Sequence, residues 1–314
     1  MTRVRALLAA ALVLVLVSDH RPHEHSVGAV GGPLAWLLAS STDLGPARGR
    51  VQLTVALHSE RRPEGLINWA ERQHLSVNWR PGDDWAVLAG APADMANSFR
   101  VAVHDYRGQR GQTFYASPQQ PSVPPTLGGE ISGLGRILGY TPHHLARPPQ
   151  PPLTDTPKPG LSPGELLSAY NATGLTKAGF NGKGATIVFF EFDGFDQDDL
   201  DSFATLTGLP EFTPTVVGGQ SGEPHGETVM DLEVAHAIAP DAHLVVVNAR
   251  PTLEGDGNYQ KIGRMFEDAD RQFPGAVWSL SIGWACDKLL TAADLAPVRA
   301  ALTKAQSHGT TAFD

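Results

Sequence analysis

A segment in the second half of the chain carries two carboxyl side chains whose spacing suits acid–base chemistry. Glu227 and Asp231 stand four residues apart within residues 225–240. In a helix, that spacing puts both groups on one face, one turn apart. Neighbouring carboxyl groups alter each other's protonation, so one can act as a base while the other orients it. The pair therefore predicts a site of general acid–base catalysis.

The same pair also has a purely structural interpretation. Acidic side chains in the first turns of a helix interact favourably with its dipole, by about 0.3–1 kcal/mol, and repulsion within a like-charged pair costs little in return. The apolar positions of the segment favour catalysis, because they predict a largely buried helix, in which a carboxyl pair requires an explanation. These positions are Val229, Leu232, Ala235 and Ile238.

A metal site is one alternative, because His225, Glu227, Asp231 and His236 are all ligand types. His236 follows Asp231 by five residues, which places it about 140° around the helix. His225 and Glu227 are two residues apart and point to different sides. The spacing departs from the His-Glu-x-x-His pattern of helical zinc sites, so the sequence predicts no metal here.

A subtilisin-like triad is a second alternative. His225-Gly226 precedes an apolar helix, and Asp193-Gly194 follows an apolar strand. Both are faintly similar to the histidine and aspartate segments of subtilisins. The sequence contains no Gly-Thr-Ser segment, and the role of His225 as a base stays open.

Alternating apolar strands and amphipathic helices predict the framework that holds these groups. Such alternation implies a parallel sheet with helices on both faces, the α/β class. Ligand sites in these sheets lie beyond the carboxyl ends of the strands, where Glu191 and residues 281–284 are expected. Strands are predicted at 185–192, 215–217, 243–248, 276–282 and 310–313, and helices at 197–206, 227–239, 259–273 and 292–307.

The N-terminal half has a different pattern. Its elements follow the order β-α-β-β-α-β, which indicates a small ferredoxin-like domain. Residues 116–163 are rich in proline, which lacks an N–H group and restricts its predecessor, so this stretch is predicted to be a solvated linker. Within it, 129–138 is expected to dock as a short helix. The predicted strands are 51–57, 75–79, 85–88 and 104–106, and the helices are 63–74 and 92–102.

The first residues have the layout of a secretory signal peptide. Arg3 and Arg5 precede an apolar run at 6–17, and polar residues follow at 18–25. A membrane span needs about 20 apolar residues, so no stable span is expected, although the weak cleavage site leaves an uncleaved signal anchor as an alternative. Cys286 is the single cysteine, which excludes an intrachain disulfide. We expect a secreted protein.

The charge of the chain excludes one class of partner. The formal net charge is −9, which argues against a nucleic-acid surface. Residues 161–314 contain 21 Asp and Glu against 9 Lys and Arg. A solvated acidic surface explains this balance, and a protein that works at low pH is the more specific alternative.

Taken together, these features resemble the sedolisins, the serine-carboxyl peptidases. Gly226-Glu227-x-x-x-Asp231-Leu232-Glu233-Val234-Ala235, followed by Ala239-Pro240-Asp241-Ala242, is similar to the Glu-x-x-x-Asp helix of that family. Residues 170–210 resemble the start of its peptidase domain, and 51–138 its pro-kumamolisin activation domain. The resemblance implies a subtilisin-like doubly wound parallel sheet, here incomplete, preceded by an α+β ferredoxin-like prodomain.

The resemblance also implies domain boundaries and residue roles. The boundaries are a signal peptide at 1–18, an activation domain at 28–138, a linker at 139–163 and a partial peptidase domain at 164–314. Glu227 would take the proton from a serine hydroxyl, Asp231 would orient Glu227, and Glu191 would support the pair. Ser281, Ile282 and Gly283 would bind substrate, with Ile282 where the family usually has tryptophan.

Two parts of the family pattern have no counterpart here. In the family, the nucleophilic serine lies in a downstream Gly-Thr-Ser segment, and a C-terminal loop holds a calcium ion. This sequence contains neither the segment nor the loop. We therefore expect the N-terminal part of a longer secreted endopeptidase zymogen that is inactive by itself. Its partners would be a polypeptide substrate and its own prodomain as intramolecular inhibitor. The alternative is a non-catalytic secreted protein that serves only binding.

Overall fold

A computed structural model describes residues 28–140, 161–224, 226–281 and 289–313. The predicted signal peptide, residues 141–160 of the predicted linker, His225, Ile282 and Gly283 lie outside these ranges. No helix within them is long and apolar enough to cross a membrane. The described chain is a mixed α/β protein, as the sequence predicts, with one parallel sheet and two antiparallel sheets.

The N-terminal half begins with a short helix and continues mainly as strands. Its described elements are α1 (Gly32–Ala39), β1 (Thr42–Pro46), β2 (Val51–Leu57), α2 (Glu64–Arg72), β3 (Ser76–Asn78), β4 (Trp85–Gly90), α3 (Pro92–Phe99), β5 (His104–Arg107), β6 (Thr113–Ala116) and β7 (Ile131–Leu134).

Four of these strands form an antiparallel sheet in the order β3-β4-β2-β7. Alternation along β2 sends Leu53 and Val55 to the face that α2 and α3 cover, where Leu66 and Phe99 join the same core. The opposite face carries Trp85 together with the smaller apolar side chains of Ala56 and Val87. The sheet therefore has one face for its own helices and one for another partner.

Three expectations about this half are wrong. Residues 104–106 do not complete this sheet, because β5 pairs with β1 and β6 in a separate three-stranded sheet. Residues 129–138 contain strand β7, at Ile131–Leu134, instead of a helix. Residues 117–140 are packed, with Leu127 and Ile137 buried in the core. Burial of their apolar side chains outweighs the proline content, and Pro118, Pro124 and Pro125 still take part in backbone hydrogen bonds through their carbonyl oxygens.

The C-terminal half alternates helices and strands. Its described elements are α4 (Pro163–Ala169), α5 (Thr173–Lys177), β8 (Thr186–Glu191), α6 (Gln197–Thr207), β9 (Thr215–Val217), α7 (Glu227–Ile238), β10 (His243–Asn248), α8 (Asn258–Gln272), β11 (Val277–Leu280), α9 (Ala296–Ser307) and β12 (Thr311–Phe313).

The five strands of this half form a parallel sheet in the order β12-β11-β8-β10-β9. One face packs against α6 and α7, with Phe189 and Leu232 in the shared core. The other face packs against α8 and α9, where Phe190, Phe266 and Trp278 make edge-on and tilted ring contacts. Both faces of the sheet are therefore covered, which explains the continuous apolar strands.

Helices α2, α3 and α9 are each at least three residues shorter than predicted. α3 ends at Phe99 because Arg100 adopts a left-handed conformation, with φ of 55°. α9 begins at Ala296, because residues 291–295 form a turn in which the Asp294 carboxyl accepts hydrogen bonds from the Thr291 backbone N–H and hydroxyl.

The burial expected for α7 is also wrong in part. Leu232 is buried, but Ile238 is exposed, as are Met230 and Val234. The apolar residues of this helix are distributed around all its sides, so the sequence pattern does not define which of them face the core.

The outer face of the four-stranded sheet packs against α8 and the start of α9. Ala293 and Ala296 join Trp85 in a small apolar cluster, and Gln260 donates to Thr54 Oγ1 at 2.7 Å. Arg264 forms an ion pair with Asp83 and lies 4.4 Å from the centroid of Trp85. The contact thus combines an apolar centre with a charged pair that is largely shielded from solvent.

Candidate active site

The carboxyl ends of the central strands bring the predicted site residues to one edge of the parallel sheet. Glu191 is the last residue of β8, and Ser281 follows β11 directly. Because β11 is the neighbour of β8 and both run in the same direction, these two residues leave the sheet at the same edge. The first turn of α7, which carries Glu227, approaches that edge.

The start of α7 is anchored by a residue from the loop after β8. Gly226 precedes the helix with φ of 98°, a conformation that favours glycine and provides no capping side chain. Asp193 takes that role: its Oδ2 accepts the Glu227 N–H at 3.3 Å, and its Oδ1 accepts the Thr228 N–H at 3.2 Å. The first N–H groups of a helix have no acceptor within the helix, so Asp193 supplies the missing one.

Thr228 connects that anchor to Glu191. Its hydroxyl lies 3.1 Å from Glu191 Oε2, 3.1 Å from the Asp193 carbonyl oxygen and within hydrogen-bonding distance of Asp193 Oδ1. A hydroxyl carries one proton and donates to one acceptor at a time. Thr228 is fully buried, as is Glu191, which is 2% exposed. The two carboxyl groups are therefore linked through one shared donor.

Asp231 lies one helical turn after Glu227 and is held by residues at the ends of strands β11 and β8. The Ser281 hydroxyl donates to Asp231 Oδ2 at 3.1 Å, and a hydrogen bond also joins Asp231 to the Glu191 carboxyl. A bond between two carboxyl groups requires a proton on one of them. Asp231 is thus bound by a strand-end hydroxyl and by a buried carboxylic acid.

Burial, followed by the charge of Asp231, raises the pKa of Glu191 to about 8. The Thr228 hydroxyl opposes this rise, and the charges of Asp193 and Glu227 add to it. Glu191 is therefore neutral at acidic and neutral pH and can donate its proton to Asp231.

The other two carboxyl groups shift in the same direction. The pKa of Glu227 is raised by burial and by the charges of Asp231 and Asp193. Burial also raises the pKa of Asp231, while hydrogen bonds from Ser281 and Glu191 lower it and the charge of Asp193 raises it. Like charges in one site cannot all ionise freely, so the cluster holds protons into a higher pH range than isolated carboxyl groups.

This arrangement can move a proton at Glu227. Glu227 is the solvent-exposed member of the cluster, and Asp231 and Glu191 lie progressively deeper in the protein. An exposed carboxyl group with a raised pKa, next to a partly buried carboxyl group and a buried acid, can accept and release protons, which is the property that general acid–base chemistry uses. The geometry does not by itself specify a substrate.

The structure brings together Glu191, Glu227, Asp231 and Ser281, four of the residues that the sequence singled out. Ile282 and Gly283 lie outside the described residues. Sequence reasoning missed the anchoring roles of Asp193 and Thr228. The signal available for Asp193 was its position in an Asp-Gly pair directly after a strand, and Thr228 had none.

Residues considered as metal ligands are not gathered in the described ranges. His236 is buried against Phe212, with ring centroids 3.9 Å apart, and its Nε2 lies 2.8 Å from the Pro210 carbonyl oxygen. Among the described residues, no group of three or more His, Cys, Asp or Glu side chains is placed to hold a metal ion.

Fold and site define an α/β protein with a carboxyl cluster at the carboxyl edge of a five-stranded parallel sheet. No model of a protein family matches this chain, and a search of curated proteins finds no match either.

Proposed function

We propose that this chain is the N-terminal part of a secreted serine-carboxyl endopeptidase zymogen of the sedolisin type. The observation that carries the proposal is the bonded series in which Ser281 and Glu191 both bind Asp231, one turn from Glu227. In this proposal, Glu227 is the general base that takes the proton from a serine hydroxyl, Asp231 orients it, and Glu191 supports Asp231.

In the proposed enzyme, the electrostatics of the cluster set the lower limit of the acidic range in which Glu227 can act as a base. A general base must be ionised when substrate binds, and burial together with neighbouring carboxyl groups raises the pKa of Glu227 above its ordinary value. A carboxylate with a higher pKa is a stronger base but loses its charge at a higher pH. Protonated Glu191 keeps the total negative charge of the cluster low, which favours an ionised Glu227.

We assign no nucleophile among the described residues. The Ser281 hydroxyl, at the end of a strand, donates a hydrogen bond to Asp231. We propose that Ser281 holds Asp231 in place and, together with Ile282 and Gly283, binds the substrate. The serine of the proposed family belongs to a Gly-Thr-Ser segment that this sequence does not contain. In this proposal, the chain contains the general base Glu227 and the supporting carboxyl groups of Asp231 and Glu191, but it has no peptidase activity by itself.

The strand order and the docking of the N-terminal half support the proposal that it is the intramolecular inhibitor of the zymogen. Its four-stranded sheet, with α2 and α3 on one face, matches the strand order of a ferredoxin-like domain, with β7 as the last strand. Its other face docks on α8 and α9 of the parallel-sheet half. We propose that this docking keeps the zymogen inactive and that cleavage in the linker at 139–163 releases it.

The calcium ion of the proposed family receives no role here. Its ligands belong to a loop without a counterpart in this sequence.

The direct test is the processing of the open reading frame that contains this chain. The protein is purified from a secreting host and shifted from about pH 8 to about pH 4, and linker cleavage is followed by gel and mass spectrometry. Glu227→Gln keeps the size of the side chain but removes the base, so we expect it to abolish cleavage. Glu233→Gln, on the same helix without a described bond to the cluster, is the matched control and should process normally.

Two outcomes decide against the proposal. If Glu227→Gln processes at the wild-type rate, Glu227 is not the base. If no form cleaves itself or a denatured protein substrate at any pH in this range, the non-catalytic binding protein is the better interpretation.

A further inference from the structure

Asp193 is a carboxyl group that the proposed mechanism does not use. It lies two residues after Glu191, in the loop between β8 and α6, and is 8% exposed. Its side chain accepts hydrogen bonds from two successive backbone N–H groups, those of Glu227 and Thr228, and from the Thr228 hydroxyl. These donors are separated from it by more than thirty residues of sequence.

The position of these bonds gives them a specific effect. Helix α7 begins after a glycine that has no side chain to cap it, so the local sequence does not fix the orientation of its first turn. Two N–H bonds to a carboxylate held by β8 determine how that turn is rotated relative to the sheet edge. Since Glu227 is the first residue of the turn, its side chain direction follows from the same bonds.

We propose that Asp193 is a positioning residue, which sets the first turn of α7 against the end of β8 and so places the Glu227 carboxyl beside Asp231. This inference rests on the proposed function only in naming Glu227 as the base. Asp193 acts through the backbone of Glu227 and through Thr228, which passes the constraint to Glu191. It neither takes nor gives the proton that Glu227 moves.

A simpler role for Asp193 is helix capping alone. In that case its removal would loosen the start of α7 and change the pKa values of Glu191 and Glu227 only through the loss of its charge, without moving the Glu227 side chain relative to Asp231. The two roles differ in what happens to Glu227 and Glu191 while the protein stays folded. The test is therefore a measurement on the native state.

The first measurement is amide hydrogen exchange by NMR in the full 314-residue chain. The Glu227 and Thr228 amides have no acceptor within the helix, so their protection depends on Asp193. We expect Asp193→Asn to speed their exchange about tenfold, while the amides in the middle of α7 keep their rates. Asp196→Asn is the matched control, because Asp196 lies in the same loop, is exposed and makes no side-chain bond at the start of α6.

The second measurement is a ¹³C titration of the carboxyl groups in the same variants. Asp193→Asn removes a negative charge that faces Glu191, Glu227 and Asp231 and loosens the turn, so we expect the titration midpoints of Glu191 and Glu227 to move down. Thr228→Val should move the midpoint of Glu191 up, because the hydroxyl bond is lost, and Thr228→Ser should restore it. Asp196→Asn should leave all these midpoints in place.

The results separate this inference from the proposed function. Unchanged midpoints in Asp193→Asn, with the Glu227 and Thr228 amides exchanging no faster than in wild type, would overturn the positioning role. The charge of Asp231 also raises the pKa of Glu227, so Asp231→Asn reports the spacing of this pair. If Asp231→Asn lowers the midpoint of Glu227 as much in the Asp193→Asn background as in wild type, the pair keeps its spacing, which would overturn the positioning role in favour of capping. Neither measurement needs peptidase activity, so failure of the processing test leaves this inference to be decided by its own data.

Discussion

The Ser281 hydroxyl donates to Asp231 Oδ2 across 3.1 Å, and this bond ties the end of β11 to the second turn of α7. Strand and helix meet there at the carboxyl edge of the sheet. The bond also affects protonation, because a donor to the charged form of a carboxyl group lowers its pKa.

Replacing that donor should therefore change the titration of Asp231. In Ser281→Ala, we expect the pKa of Asp231 to rise further, since the bond that favours its charged form is gone, and the protein to lose about 1 kcal/mol of stability at neutral pH. Carboxyl ¹³C titration and urea unfolding measure both effects. Ser279→Ala, two residues earlier in β11, is the control, and an unchanged midpoint in Ser281→Ala would contradict the role of this bond.

The raised pKa of Glu191 predicts a stability that depends on pH. A carboxyl group with an ordinary pKa of 4.5 in the unfolded chain and about 8 in the folded protein stabilises the fold in its neutral form. This contribution is complete below about pH 4.5 and is lost as the pH rises through about 8. Between these two pH values, the release of this one proton lowers the free energy of unfolding by up to about 1.4 kcal/mol per pH unit.

Glu191→Gln isolates this contribution. The amide resembles the neutral acid and does not ionise, so its free energy of unfolding should fall less steeply than that of wild type between about pH 5 and about pH 8. Urea unfolding at several pH values measures the slopes. Glu211→Gln, at an exposed position before β9, should keep the wild-type slope. Parallel curves for wild type and Glu191→Gln would show that Glu191 ionises normally.

The ion pair between Arg264 and Asp83 should contribute strongly to the contact between the two halves. Arg264 also pairs with Glu267 and lies over Trp85, and the Arg264 and Asp83 side chains are only 20% and 9% exposed. Asp83→Asn leaves a shielded cation with one partner fewer, so we expect a loss of about 3 kcal/mol in denaturant unfolding.

An exposed ion pair on the same helix provides the comparison. Asp268 pairs with Arg271 at the surface, and Asp268→Asn should cost less than about 1 kcal/mol. Equal losses in the two variants would show that the contact between the halves does not depend on the Arg264 pair.

The loop that carries Asp193 depends on the next residue being glycine. A Cβ atom at Gly194 would lie 2.1 Å from the Gly222 carbonyl oxygen, and backbone cannot yield as a side chain can. We expect Gly194→Ala to cost about 1–3 kcal/mol and to shift the amide resonances of Glu227 and Thr228. Gly128→Ala is the control, since its nearest contact is an ordinary 3.7 Å. Intact resonances in Gly194→Ala would mean that the loop adapts without moving Asp193.

Local patterns were sufficient for most elements of the parallel-sheet half. β9 and β10 occur at the residues predicted, because continuous apolar runs between turn residues have few other solutions. The convergence of Glu191 and Ser281 followed from the rule that parallel strands end at one edge. The spacing of Glu227 and Asp231 was readable because α7 begins where its sequence indicates.

Other features depend on pairing between distant residues. The pattern of β5 identifies a strand, but nothing in it selects β1 and β6 as partners. The proline content of residues 117–140 concealed the buried positions of Leu127, Ile131 and Ile137. Asp193 binds N–H groups on a helix 34 and 35 residues away, and a short sequence window contains no trace of such a bond.

Helix α8 serves two sheets at once. Ile262 and Phe266 face the parallel sheet, while Gln260 and Arg264, on the opposite side of the helix, bind the antiparallel one. Contacts from both sheets stabilise α8. If either sheet unfolds, α8 loses part of its stabilising contacts, and the other sheet is destabilised in turn. The two halves should consequently melt as one cooperative unit, with a single calorimetric transition whose enthalpy agrees with the van't Hoff value.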